Sequence, residues 1–96
     1  MILETATISV IPGQEDAFLV ALAEAKGVLA RSEGWRDIHV RRGIERPSTF
    51  QLVIGWETLE HHTEGFRGGE LFGQWRAIIG PHFAEPPQVE HWTIVD

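Results

Sequence analysis

Four histidines, His61, His62, His82 and His91, lie between Trp56 and Trp92 in the company of Phe66, Phe72, Trp75 and Arg76. Imidazole changes protonation near neutral pH, so such a group can take a proton from a phenol or hydroquinone. In a dry pocket the resulting phenolate is electron-rich enough to reduce dioxygen, after which oxygen adds to the ring and a quinone forms. That chemistry needs a base, oriented aromatic walls and a donor for developing negative charge. His62 or His82 is the candidate base, and Arg76 or Trp75 the candidate anion stabiliser. Trp56, Phe66, Phe72 and Trp75, with His91 or Trp92, are the candidate walls around a flat, mostly apolar ligand.

Spacing separates the two adjacent histidines. On a short helix Leu59, His62 and Phe66 recur at three and four residues and share the apolar face, whereas His61 points about 100° away. His61 falls near Glu57 and Glu64 in projection, as on a solvated charged face. Phe72, Trp75 and Ile79 form a second inward stripe with Arg76 at its edge. Each of these residues also has a plain structural reading: aromatic rings at helical spacing fill cores, and a buried imidazole often does no more than bond a backbone carbonyl. No metal site is expected, because the histidines lack the spacing of a helical zinc pair and there is no cysteine. No cofactor is expected either, since neither a Gly-x-Gly-x-x-Gly segment nor a phosphate loop with its lysine is present.

The 96-residue chain is read as one domain over residues 1–96, without linker, repeat or low-complexity tract. With 14 acidic and 8 basic residues, its net charge of −6 disfavours nucleic acid and anionic lipid. The predicted order of strands and helices is shared with RNA-recognition domains, but their glycine–aromatic signature is missing. Lack of cysteine rules out disulfides and thiolate chemistry. No signal-like opening or membrane-length apolar run is seen, so a soluble cytoplasmic protein is expected.

The elements that must position these residues follow from local pattern. Residues Ile2 to Ile11 are rich in β-branched side chains and end at Pro12-Gly13, which predicts a strand. Phe18, Ala21, Leu22, Ala25, Val28 and Leu29 predict a helix, with Gln14, Glu15 and Asp16 at its start and Gly34 beyond it. Trp35 to Arg42 and Thr49 to Glu57 predict two strands around a turn at Arg46-Pro47-Ser48. Thr58 can cap a short helix to Phe66; Gly68-Gly69 breaks it, and a second helix runs from Glu70 to Ile79 and stops at Gly80-Pro81. Val89 to Val95 predicts the last strand. The whole is α+β: a ferredoxin-like βαββαβ order with a four-stranded antiparallel sheet and a divided second helical region.

The sheet has two semi-apolar faces. Phe50, Leu52, Ile54 and Trp56 share one, while in the first strand Ile2, Ala6, Ile8 and Val10 alternate with Leu3, Thr5, Thr7, Ser9 and Ile11. A second sheet could cover the face turned away from the helices. In their combined order, Ile11-Pro12-Gly13, Gly55-Trp56-Glu57 and the run from Phe66 to His91 resemble the antibiotic-biosynthesis monooxygenase family over nearly the whole chain. The resemblance implies a dimeric α+β barrel, hence a homodimer. It also implies a cofactor-independent monooxygenase-like protein that oxidises a small aromatic or quinol substrate with dioxygen. The alternative is a non-catalytic dimer that binds a small apolar metabolite. Haem-degrading members of the family use an asparagine on the first strand, a tryptophan on the helical segment and a histidine ten residues later. The matching positions here hold Thr5 or Thr7, Phe66 and Arg76, so haem binding is the least supported reading.

Overall fold

The computed structural model describes residues 1–96. Strand β1 spans Ile2–Ser9, helix α1 Glu15–Leu29, β2 Trp35–Arg42, β3 Thr49–Trp56, helix α2 Glu70–Ile79 and β4 Gln88–Thr93. The strands form one antiparallel sheet in the order β2-β3-β1-β4, so the first and third strands are central. This is the ferredoxin-like arrangement expected from the pattern of the chain. The first strand is shorter than expected: Val10 leaves the ladder and forms an isolated bridge to Phe83. The last strand runs from Gln88 to Thr93, not from Val89 to Val95.

Alternation sets which side chains meet the helices. Ala6, Ile8, Phe50, Leu52, Ile54 and Trp56 pack beneath Phe18, Leu22, Ala25 and Leu29 of α1, all within one buried cluster. Phe18 stacks at a tilt on Phe50 with 5.0 Å between centroids, which places the most buried part of the core under α1. The start of α1 is fastened by Glu15, whose carboxylate accepts from the Gly13 amide at 2.9 Å and from the Ser48 hydroxyl. The Ser48 bond is the main reason that its pKa lies below the ordinary value. After α1 the chain turns through Gly34, at φ +82°, with the His61 ring where a side chain would otherwise stand. Only glycine takes that conformation freely.

Between β3 and α2 the backbone departs from the expected α-helix. His61–Phe66 is a π-helix, and the Arg67 amide reaches back five residues to the His62 carbonyl at 2.9 Å. Thr58 caps the turn as expected, its hydroxyl accepting from the His61 amide at 3.2 Å. The wider turn keeps His62 and Phe66 buried on one side and leaves Leu59, expected on the same face, 41% exposed. α2 itself starts after Gly69 and gives way to a short 3₁₀ turn, Gly80–His82, where Pro81 ends the α pattern. α2 packs on α1, and β4 at the sheet edge has no buried residue.

Candidate functional site

Beneath α2 and the π-helix lies a cavity of about 1090 Å³. Its floor is the β1 face carrying Glu4, Ala6 and Ile8 with Leu52 and Ile54 of β3; its roof is His62, Phe66, Phe72, Trp75 and Arg76. Eleven of the twenty lining residues are hydrophobic, and Glu4, His62, Arg67, Arg76 and Glu85 are the ionisable ones. A smaller cavity of about 400 Å³ on the far side of the π-helix is lined by Arg31, Glu33, His61 and Glu70, among others, with Leu71 its one hydrophobic residue. The larger one is thus the more apolar of the two.

The polar floor of the large cavity centres on Glu4. Strand alternation alone places it between Ile2 and Ala6 on the helix-facing side, where it is 6% exposed. The register pairs Glu4 with Ile54 on one side and His91 on the other, next to Trp56. Trp56 Nε1 donates to Glu4 Oε1 at 3.0 Å, and His62 Nε2 approaches the same oxygen at 3.3 Å. His62 Nδ1 in turn lies 2.8 Å from His91 Nε2. The His62 ring stacks on Trp56 at 5.3 Å and faces Phe66 at 6.3 Å, so packing on both sides fixes its orientation. Phe66 meets Trp75 and Phe72 edge-on, continuing an aromatic wall along α2. The guanidinium groups of Arg67 and Arg76 both lie 5.8 Å from the Phe72 ring centre at the cavity wall.

Burial decides the charge states. It raises the Glu4 carboxyl from an ordinary 4.5 to about 7, against the opposing pull of the Trp56 hydrogen bond and the Arg67 charge. It lowers His62 from 6.5 to about 4, helped by His91 and Arg67. The 3.3 Å contact is thus a carboxyl against a neutral imidazole, not an ion pair. Between pH 4.5 and 7 folded Glu4 keeps a proton that the unfolded chain has released, so its contribution to stability falls as pH rises through that window. Between pH 4 and 6.5 folded His62 lacks a proton that the unfolded chain holds, so its contribution rises with pH. The two slopes offset one another over the shared range. Glu4→Gln is expected to remove only the falling slope, so urea denaturation across a pH series should show the wild type losing stability relative to the variant from pH 4.5 to 7. A constant difference across that range would contradict an elevated Glu4 pKa.

The candidate residues divide by position. His62, Phe66, Phe72, Trp75 and Arg76 line the cavity; Trp56 lies beneath Glu4; His91 reaches the group through His62. His82 is elsewhere: its Nδ1 pairs with Gln14 Oε1 at 3.0 Å beside the start of α1, and it is absent from the lining. Trp92 is on the opposite sheet face, where its Nε1 donates to Thr5 Oγ1 at 2.8 Å. Strand parity explains this, because neighbours His91 and Trp92 must point to opposite faces. His61 bonds Thr58 Oγ1 at 2.8 Å and lines the smaller cavity. Glu4 and Arg67 are not among the residues that spacing singles out. A carboxylate at an inward position of an otherwise apolar alternation was the available signal for Glu4.

Fold and cavity together define a ferredoxin-like α+β protein with a buried carboxyl–imidazole pair facing a chamber walled on one side by aromatic rings. The sequence profile of the antibiotic biosynthesis monooxygenase family matches residues 1–78, and the chain belongs to that family. It is 32% identical over 95 residues to the uncharacterized protein YczJ of Bacillus subtilis (strain 168), covering 99% of this chain and all of that one. A Bordetella bronchiseptica crystal structure assigned by name to the same family superimposes with a TM-score of 0.95. It is 40% identical, with 98% of this chain and 96% of that chain covered. A point mutant of SnoaB, a cofactor-independent oxygenase from Streptomyces nogalater, shares the fold with a TM-score of 0.82. Its identity is 12%, over 99% of this chain and 93% of that one.

Proposed function

We propose that the protein is a cofactor-independent monooxygenase acting on a small phenol or quinol bound in the large cavity. The observation that carries this reading is the Glu4–His62 pair, a buried carboxyl and a neutral imidazole on the wall of an aromatic chamber. For a phenol with a free ring C–H, the pair accepts the hydroxyl proton, and the phenolate passes one electron to dioxygen. The two radicals join at a ring carbon as a peroxide anion, which takes the proton back from the pair to become a hydroperoxide. Loss of the proton on that carbon then breaks the O–O bond, leaving a quinone; the departing hydroxide takes up a proton as water. One oxygen atom and two substrate hydrogens are thus accounted for. Phe66, Phe72 and Trp75 supply the flat walls, and Arg76 supplies positive charge at the edge. Phe66 and Arg76, at the positions of the haem degraders' tryptophan and histidine, offer no iron ligand. Oxygen uptake by purified, metal-free protein with a panel of phenols and hydroquinones is the test, and uptake with at least one of them is the expected result.

A second reading is a binding protein without turnover. What favours it is that both ring nitrogens of His62 are engaged inside the protein, by Glu4 and by His91, which leaves neither free for a ligand.

In either role we propose a homodimer. The sheet face turned from the helices carries Leu3, Thr5, Val53 and Trp92, and Trp92 and Ile94 are 50% and 44% exposed in the single chain. Covering those groups with a second copy removes apolar surface from water. Light scattering across a dilution series should give twice 10.8 kDa. A mass that stays monomeric at micromolar concentration would sink this assignment.

A further inference from the structure

The cavity wall contains a line of three ionisable side chains that leads from an enclosed oxygen to open water. Glu4 lines the cavity, and only its Oε1 has protein partners, Trp56 and His62. Oε2 has no hydrogen bond, yet the one buried side-chain polar atom lacking a partner is Trp35 Nε1; Oε2 is therefore reached from the cavity. His62 is 3% exposed, and its two nitrogens face Glu4 and His91. His91 is exposed on the edge strand β4. Buried imidazole bridging a buried carboxyl to an exposed imidazole is more than packing on Trp56 requires.

We propose that Glu4, His62 and His91 form a proton outlet through which Glu4 sheds its own proton to solvent, by way of His91, and becomes the base that the bound molecule meets. The proposal rests on the reading above for what the ionised carboxyl then does. While Glu4 is protonated on Oε1, His62 and His91 each carry their ring hydrogen on Nδ1. Glu4 then gives its proton to His62 Nε2, while the proton on His62 Nδ1 moves to His91 Nε2. His91 loses its Nδ1 proton to water. Each ring ends with one N–H bond formed and one broken, no charge is left on His62, and the ionised carboxyl presents Oε2 to the cavity. Because His62 is passed through and never keeps the added proton, its engagement on both sides is a requirement here, not an obstacle. The charged groups around the line are Arg67, which acts on both Glu4 and His62, and Arg76 and Glu85 on the same cavity wall. Arg67 disfavours a proton resting on either group, which favours onward transfer. Burial, offset in part by the Trp56 hydrogen bond and the Arg67 charge, places Glu4 at about 7, so that it can both accept and release.

Nitrogen-15 NMR of the histidine rings tests the outlet without any substrate. With Glu4 protonated, His62 should carry its hydrogen on Nδ1 and donate to His91; with Glu4 ionised, it should carry it on Nε2, and His91 should donate back from Nε2. Both rings are expected to change tautomer together as pH passes through about 7, and Glu4→Gln should abolish the change. One fixed tautomer in each ring across that range, identical in wild type and Glu4→Gln, would overturn the proposal. A second arm uses turnover: His91→Ala should lower kcat for a phenol by about tenfold or more below pH 7, where Glu4 must first lose its proton, with KM unchanged, and added imidazole should restore it. A coupled tautomer change in a protein that takes up no oxygen would support the outlet and remove the oxygenase reading. Oxygen uptake unaffected by Glu4→Gln and His91→Ala would do the reverse.

Discussion

Oxygen uptake with a phenol or hydroquinone is expected to fall by about 100-fold or more in His62→Ala, with ligand affinity largely kept, while His61→Ala stays close to wild type. The contrast comes from geometry. His62 is buried, 3.3 Å from Glu4 and stacked on Trp56, whereas the adjacent ring bonds Thr58 and faces the other cavity. Removing the His62 ring also takes packing from Trp56 and Phe66, so lower stability alone is no evidence of a chemical role. His62→Phe keeps ring volume without a proton-carrying nitrogen and should lose rate as the alanine variant does. Equal rates in wild type and all three variants would take His62 out of the mechanism. No uptake by the wild type across the whole panel would favour the ligand-binding reading.

Trp75→Ala should weaken binding of flat aromatic ligands and lower folding stability by about 3 to 5 kcal/mol. Trp75 is 7% exposed, meets Phe66 edge-on with centroids 6.1 Å apart, and also lines the cavity. The same ring is therefore both core and wall. The two effects separate by experiment: titration with a phenol reads the wall, and urea denaturation reads the core. A variant that unfolds far more readily yet binds the phenol normally would show that the ring is core only.

Several elements were legible because their signals are local. α2 runs from Glu70 to Ile79 as its flanking Gly68-Gly69 and Gly80-Pro81 pairs imply, and β2 runs from Trp35 to Arg42. Cavity membership is different in kind. His82 follows α2 closely in sequence, yet what it meets is Gln14, 68 residues away. Whether His91 or Trp92 points toward the helices is a question of strand parity, answered only by the register that sets Glu4 opposite His91. Glu4 was hidden for a related reason. A charged residue in a strand reads as an outward position, and only Trp56 and His62, 52 and 58 residues further on, make its burial tolerable. The width of the His61–Phe66 turn was equally illegible, since α and π spacing share the same apolar residues there.

That turn makes the cavity wall depend on chain length as well as on side-chain identity. A π-helix closes each ring with one more residue than an α-helix, so the segment from Thr58 to Arg67 carries a surplus position relative to a regular helix over the same rise. Deleting one residue there would let the segment relax to α spacing and absorb the loss locally, so that α2 keeps its place while the offset between His62 and Phe66 changes. The imidazole and the aromatic wall would then meet the chamber at a different spacing, although neither had been substituted. Relatives that differ by a single insertion or deletion in this short stretch can thus set that spacing differently on an unchanged sheet.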